Sequence, residues 1–536
     1  MRDKRYLLLA LLPLTISACS PTHTEPTSPS TSEPDTPIEE PRTVATISID
    51  GDEDGQILTP EEVTLKDTLH SIESQRFYNT QVLPSTGDVN ILVIPVLIDG
   101  YTDFTEAGLP ESMPEEEKLK KVRDDIGKAF FGEEGETGFE SVASYYKKSS
   151  LGNLRLSGTV TDWFDMSKHS EFTSAGQLNN QTTQQLVQDA VDWALTTQNV
   201  KASDLDSDDD GFIDGVWLVY SAEDYTRDGP MTDDQNFWAY TSWGNQDAEP
   251  DVETSEYYYN LFGWASYDFM YDAYGTEVVD PHTFIHETGH FLGLNDYYSD
   301  RPIYNPVGKV DMMDGNIADQ NAYSKMLLGW AKPYVVTGDA TIDLESMEQN
   351  QLIVIPPDGT DLKGGVFDPF SEYLVIELYT PDGLNLKDSE VQVPDRPLAM
   401  DQPGVRIYHV DNRRYVTHWD RNQRLYVTEE DDGDELKDGE SYILPITNSI
   451  AVNQYVTALN LDYSIYPYDE IRMIESEGIN TFSSGGFQTR RTLFTAGDTF
   501  SLKKYSDFFI HRDTLDSGKA LSAEVRIDAI DQGVTA

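Results

Sequence analysis

One cysteine, Cys19, is all the thiol that the 536 residues hold. No intrachain disulfide can form, no cysteine-rich zinc module exists, and a thiol nucleophile is excluded from the body of the chain. Positive charge is scarce as well: 38 Lys plus Arg stand against 95 Asp plus Glu, a formal net charge of −57. A phosphate backbone is repelled by such a surface, which excludes nucleic-acid binding. Adhesion to anionic lipid through a basic patch is disfavoured on the same ground. Long apolar runs are missing too, since none reaches the roughly 20 residues that span a bilayer. No repeat of solenoid period is found.

What is present starts at the N-terminus. Residues 1–18 give a short basic start (Arg2, Lys4, Arg5), an apolar run from Tyr6 to Ile16, and then Ser17-Ala18-Cys19. That is the layout of an export signal with small residues before the cut. Ile16-Ser17-Ala18-Cys19 also resembles a bacterial lipobox, in which the cysteine is lipidated and becomes the mature N-terminus. A plain secretory signal that happens to hold a cysteine is the simpler alternative. The expectation is an exported bacterial lipoprotein at the cell surface or outer membrane, anchored by lipid at Cys19. Residues 19–45, rich in Ser, Thr and Pro, bury too little to fold and read as a tether.

The chain length allows two to four domains. Residues 46–85 read as a small N-terminal segment. Residues 86–335 mix strands (Asn90 to Leu97, Leu154 to Val160, Gly215 to Tyr220) with helices (Glu115 to Phe131, Asn179 to Thr197, Thr283 to Leu292, Tyr323 to Trp330). Residues 336–536 carry short strands separated by Gly, Pro and Asp turns and read as a β-rich, sandwich-like region. The expected fold class is α+β.

The strongest chemical signal is His286-Glu287-Thr288-Gly289-His290. Residues four apart share a helix face, so both imidazoles can reach one metal ion. Glu287 lies beside them, where it can take a proton from water. A catalytic zinc site needs a third protein ligand and one open position. Gly293 can end the helix in the left-handed conformation and turn the chain back, so that Asp296 reaches the metal. A capping role is the alternative for Asp296.

His286-Glu287-X-X-His290-X-X-Gly293-X-X-Asp296 resembles the immune-inhibitor-A-type metallopeptidases (the M6 family), relatives of the metzincins with Asp in place of the third His. The stretch Val310 to Asn316 is similar to their Met-turn, with Met312 or Met313 as the hydrophobic floor beneath the metal. The likeness extends over roughly residues 88–415. It implies a zincin-like catalytic domain, a Zn²⁺ cofactor and protein or peptide substrates. Glu287 would act as general base and pass its proton to the leaving amine. His409 and Tyr298 are candidates to stabilise the transition state, with a structural role the simpler reading of each. The competing functional reading is a surface binding protein that keeps a peptidase fold without turnover. A monomer is expected.

Two acidic loops point to Ca²⁺. In Asp206-Ser207-Asp208-Asp209-Asp210-Gly211-Phe212-Ile213-Asp214, oxygens stand at positions 1, 3, 5 and 9 and glycine at 6, although Trp217 replaces the Glu of a complete EF-hand loop. Asp50, Asp52, Asp54, Gln56 and Glu61 fit that spacing more fully, with Gly55 at position 6. A strand rather than a helix precedes them. The acidic run from Glu429 to Glu440 reads as a solvated loop.

Overall fold

The apolar run from Asn90 to Leu97 lies within the strand Gly87–Leu97, both faces of which are covered. Val89, Ile91 and Val93 enter one core while Leu92, Ile94 and Val96 enter another, as the two-residue period of a strand requires. This computed structural model describes residues 42–63, 82–224, 237–244, 257–271, 278–299, 303–362, 370–393, 396–413, 415–420, 425–430, 440–443, 448 and 469–534. The chain divides into two units. Met1–Glu40 with Thr535–Ala536 lies outside the described residues, as do the export signal, Cys19 and residues 431–439 of the acidic run. Everything below concerns the unit Pro41–Val534.

Leu154–Val160 and Val216–Tyr220 flank Gly87–Leu97 in parallel. Leu261–Ser266 follows, again parallel, and Tyr240–Trp243 closes the order as an antiparallel edge. On one face the helix Asn180–Thr197, capped by Asn179, supplies Leu186, Val187, Ala190 and Ala194. On the other lie Glu115–Phe131, Val142–Ser149 and the motif helix His282–Phe291. Three Glu in its first turn and Lys128 in its last suit the dipole of Glu115–Phe131. A Ser141–Ser144 capping box starts Val142–Ser149. Trp217 seats the motif helix, stacking on Phe291 with ring centroids 5.3 Å apart and meeting Phe284 edge-on at 5.5 Å.

A second six-stranded sheet runs in the order Ile471–Ile474, Gly404–Asp411, Glu372–Tyr379, Gln351–Ile355, Lys332–Val336, Ile57–Leu58. Its alternation decides how the molecule is built. Tyr373, Val375, Tyr408, Val410, Ile471 and Met473 enter the same core as Phe284, Ile285 and Met313. Leu374, Ile376, Val405 and Ile407 face the other way, against a four-stranded sheet of Ala340–Glu345, Arg42–Asp50, Glu524–Val534 and Thr499–Ser501. Tyr415–Asp420, Leu425–Glu430 and Glu440–Ile443 form a small sheet of their own.

Two of the expected boundaries fall inside this arrangement. The split at 335/336 does not separate two cores, because one face of the C-terminal sheet is a wall of the core that holds the motif helix. Nor do the described parts of residues 46–85 form a separate unit. Arg42–Asp50 starts four residues before the expected start of that segment and pairs antiparallel with Ala340–Glu345 and Glu524–Val534, burying Ala45, Ile47 and Ile49. Ile57–Leu58 edges the six-stranded sheet. Leu83 N donates to Phe291 O (2.7 Å) and Ser85 O accepts from the Trp330 indole (2.7 Å).

Candidate metal centre

Asp280 and Pro281 start the motif helix, the Asp280 carboxylate accepting from the His282 backbone N–H at 3.0 Å. Gly293 ends it with φ of 92°, and Leu294 N bonds back to Gly289 O at 3.1 Å. The reversal brings Asp296 under the helix. Its Oδ1 lies 3.0 Å from His286 Nε2 and 3.2 Å from His290 Nε2. The opposite ring nitrogens are committed to carbonyls, His286 Nδ1 to Met312 O (2.7 Å) and His290 Nδ1 to Leu294 O (2.8 Å). A carbonyl only accepts, so each Nδ1 carries a hydrogen and each Nε2 turns towards Asp296.

Burial disfavours a charged imidazole at His290, yet Asp296 beside it outweighs burial and raises it to about 9. Burial likewise opposes ionisation of Asp296, and His290 and His286 overcome it, holding the carboxyl far below its usual range. The three donor atoms lie within 4.8 Å of one another. Two imidazole nitrogens and one carboxylate oxygen around a single point, with their outer nitrogens already satisfied, fit a zinc ion with room for a further ligand.

Glu287 is buried beside this group. Thr241, on the edge strand Tyr240–Trp243, places its hydroxyl 3.2 Å from Glu287 Oε2 and 3.0 Å from the Glu287 carbonyl. The two methionines separate in role. Met313 underlies the helix, for a Cβ on Gly289 would stand 2.4 Å from its sulfur. Met312 contributes its carbonyl to His286, and Met313 O accepts from Tyr297 N at 2.8 Å. The turn is shaped by Asp311, whose Oδ1 accepts from Met313 N and whose Oδ2 accepts from Asn321.

Residues 122–316 match the family model of the Immune inhibitor A peptidase M6 catalytic domain. The matched M6 segment runs from inside the first long helix to the end of the Met-turn and holds the motif helix and Asp296. Two curated relatives, each a Pre-pro-metalloprotease PrtV, come from Vibrio cholerae serotype O1 strains M66-2 and ATCC 39315 / El Tor Inaba N16961. Each is 24% identical over 190 residues, 32% of this chain and 20% of the relative. The chain thus spans about a fifth of the length of these relatives.

Of the two acidic loops, one gathers its carboxylates. Asp206, Asp208 and Asp210 form a group with oxygens within 4.8 Å. Gly211 takes φ of 85° and Asp209 φ of 59°, and Asp206 accepts from the N–H groups of Asp210 and Gly211, each at 3.0 Å. Asp214 stands outside that group, turned onto the Ser207 N–H (2.9 Å) and hydroxyl. Burial raises Asp214 to about 7, and burial followed by Asp206 raises Asp208.

Asp50, Asp52, Asp54, Gln56 and Glu61 do not converge: no three of these acidic residues form such a group. Gly55 lacks the left-handed conformation of Gly211. Its need for glycine is different, because a Cβ there would stand 2.3 Å from Gly338 Cα, and one on Gly51 would stand 2.5 Å from Thr337 O. The spacing that reads as an EF-hand loop coincides with a close crossing of two backbones.

The candidate His409 lies on the strand Gly404–Asp411 of the C-terminal sheet. It faces away from the motif helix, with Ile407, and is fully buried between Glu372 (2.9 Å) and Arg472 (3.1 Å). Glu372, His409 and Asp516 also have metal-ligand spacing, but the Arg472 guanidinium already bonds both His409 and Asp516. Tyr298, two residues past Asp296, is half-buried with the Lys309 ammonium 5.4 Å over its ring.

Several contributors escaped sequence reasoning. His282, one turn before His286, lies buried between Asp280 and Asp388 and stacks on Phe139. Tyr146 braces the helix by donating to Ile285 O at 2.6 Å. The repeated four-residue spacing His282, His286, His290 was a signal for the first. Thr241 carries none, and Tyr146 lies in Ser144-Tyr145-Tyr146, a block similar to the M6 family, while its bracing partner stands 139 residues away.

Proposed function

We propose that this chain is a zinc-dependent endopeptidase, exported and anchored by lipid at Cys19, with His286, His290 and Asp296 holding the zinc and Glu287 as general base. The observation that carries this reading is the convergence of both Nε2 atoms on Asp296 with Glu287 alongside. Held there by His286, His290 and Asp296, zinc would supply Lewis-acid polarisation of the scissile carbonyl and a water of lowered pKa. Glu287 takes the water proton and delivers it to the leaving amine, so no covalent acyl intermediate forms. Thr241 orients the Glu287 carboxylate by its hydroxyl.

Tyr240–Trp243 ends the sheet order, and among the described residues no strand pairs with its outer edge. An extended substrate backbone adds to that edge, which runs past Glu287. Polypeptides in extended form are therefore the substrate class. Asp206, Asp208 and Asp210 hold a structural calcium ion, with Asp214 shaping the loop; their clustered charge favours a cation.

Unfolded casein incubated with the purified chain and calcium tests the reading. Cleavage falls to background with a zinc chelator, and Glu287→Gln lowers kcat by about 10²- to 10⁴-fold while zinc content stays that of the parent. Activity that survives Glu287→Gln would place the reaction elsewhere. A zinc-loaded chain that cuts nothing favours the binding-protein reading.

A further inference from the structure

His286 and His290 are held by a helix, whereas Asp296 sits on a loop and needs another source of rigidity. Both of its chain neighbours are fastened by residues from the C-terminal part of the chain. Asn295 Nδ2 donates to Glu470 Oε2 at 2.9 Å. Asn448 Nδ2 donates to Tyr297 O at 2.9 Å.

These anchors are themselves fixed. The same Asn448 amide donates to Ile471 O (2.7 Å) and accepts from Ile471 N (3.4 Å), which locks it to the strand Ile471–Ile474. Glu470 is fully buried, and its other oxygen accepts from the Tyr323 hydroxyl at 2.9 Å. From the opposite side Tyr297 N reaches Met313 O. Asp296 is thus the middle residue of a tripeptide pinned at both ends, to the C-terminal sheet and to the Met-turn.

We propose that Glu470 and Asn448 are positioning residues for the metal ligand Asp296, so that the C-terminal sheet sets the zinc affinity of the M6 site. Both lie beyond residue 316, outside the matched catalytic segment. A ligand loop released at either end samples orientations in which the carboxylate misses the metal. Partners that orient a ligand in this way typically change metal affinity by about 10- to 100-fold. The proposal rests on the reading that His286, His290 and Asp296 bind zinc.

The test is the zinc dissociation constant of the full chain, by competition with a chromophoric chelator, beside the melting of the zinc-free chain. Wild type binds one zinc and His286→Ala abolishes it; failure of that control refutes the proposed site, not the role of these two residues alone. Asn448→Leu and Glu470→Leu then weaken zinc by roughly 10- to 100-fold, and excess zinc restores casein cleavage. Glu470→Gln, which keeps an acceptor for Asn295, stays within about threefold. Ile376→Val, on the far face of the same sheet, lowers the melting temperature but leaves zinc affinity alone. Should a Leu variant not fold, half-buried Asn295→Ala decides, with an expected weakening of about tenfold. Zinc affinities within about threefold of wild type in Asn448→Leu and Glu470→Leu, or in Asn295→Ala where it decides, overturn the proposal.

Discussion

Replacing Gly289 and Met313 by Ala, separately and together, tests whether the Met-turn side chain sets the seat of the motif helix. A Cβ at 289 would stand 2.4 Å from Met313 Sδ, 3.0 Å from its Cε and 3.3 Å from the Tyr146 hydroxyl. Ordinary contact needs roughly 3.5–4.0 Å, so the sulfur must retreat by about 1 Å. Met313 and Tyr146 are fully buried, so little free space receives it. Overpacking of this kind costs about 1–3 kcal/mol, while the better helix propensity of Ala returns about 1 kcal/mol. Gly289→Ala alone therefore destabilises by about 0–2 kcal/mol. Met313→Ala opens a cavity at a cost of about 2–5 kcal/mol.

The pair decides the matter. With the sulfur gone the new methyl meets no clash and fills part of the hole. The double variant should be more stable than the sum of the singles predicts by about 1–3 kcal/mol. Guanidinium unfolding with chelator present separates this packing effect from metal binding. Additivity within about 0.5 kcal/mol would refute the placement of Met313 beneath Gly289.

Calcium at 100-fold excess over its dissociation constant should stabilise the chain by about 2.7 kcal/mol, seen as a rise in thermal midpoint. Asp206→Asn should abolish that rise and Asp54→Asn should leave it intact; the reverse pattern would reassign the ion to the first loop. Ile47→Ala, at a fully buried position of the N-terminal strand, should cost about 2–5 kcal/mol in denaturant unfolding. A cost near zero would mean that this strand is dispensable. His282 is held protonated, burial opposing and Asp280 with Asp388 prevailing, so that its value rises from 6.5 to about 9. A raised folded value stabilises fully below about pH 6.5 and is lost as pH climbs through 9. The stability gap between wild type and His282→Gln, of the order of 3 kcal/mol at pH 6, should therefore close across that window. Arg396 Nη1 also stands 4.0 Å from Asp280; a gap that ignores pH would point to packing alone.

Local chemistry was legible, and long-range pairing was not. Glu115 to Phe131 reads as a helix from its acidic start, and the structure matches it residue for residue. Gly293 reads as the stop that returns the chain to Asp296, and it has the left-handed φ this demands. Each of these depends on residues within one or two turns. Arg42–Asp50 is recognisable as a strand from Val44 to Ile49, yet its partners lie about 300 and 480 residues away. No local periodicity names them, so the segment reads as a separate unit when it is an inner strand of a C-terminal sheet. The two acidic loops show the same limit in miniature. Gly55 and Gly211 occupy equivalent positions in similar spacings, and only the approach of Gly338 from a distant segment reveals why one is glycine.

The C-terminal sheet is where these limits meet function. In the sequence all its strands but Ile57–Leu58 come after the metal motif, and it reads as an appendage. In the structure its inner face shares a core with the motif helix, and Glu470 and Asn448, both at the start of its edge strand Ile471–Ile474, hold the two neighbours of Asp296. Linkage then runs in both directions. If the sheet sets the geometry of the third ligand, bound zinc must stabilise the sheet by the same free energy that the sheet lends to zinc. A metal ligand on a loop is tolerable only where another part of the fold supplies the stiffness that a helix gives His286 and His290. On the proposed reading, Glu470 and Asn448, both buried at the start of Ile471–Ile474, supply that stiffness.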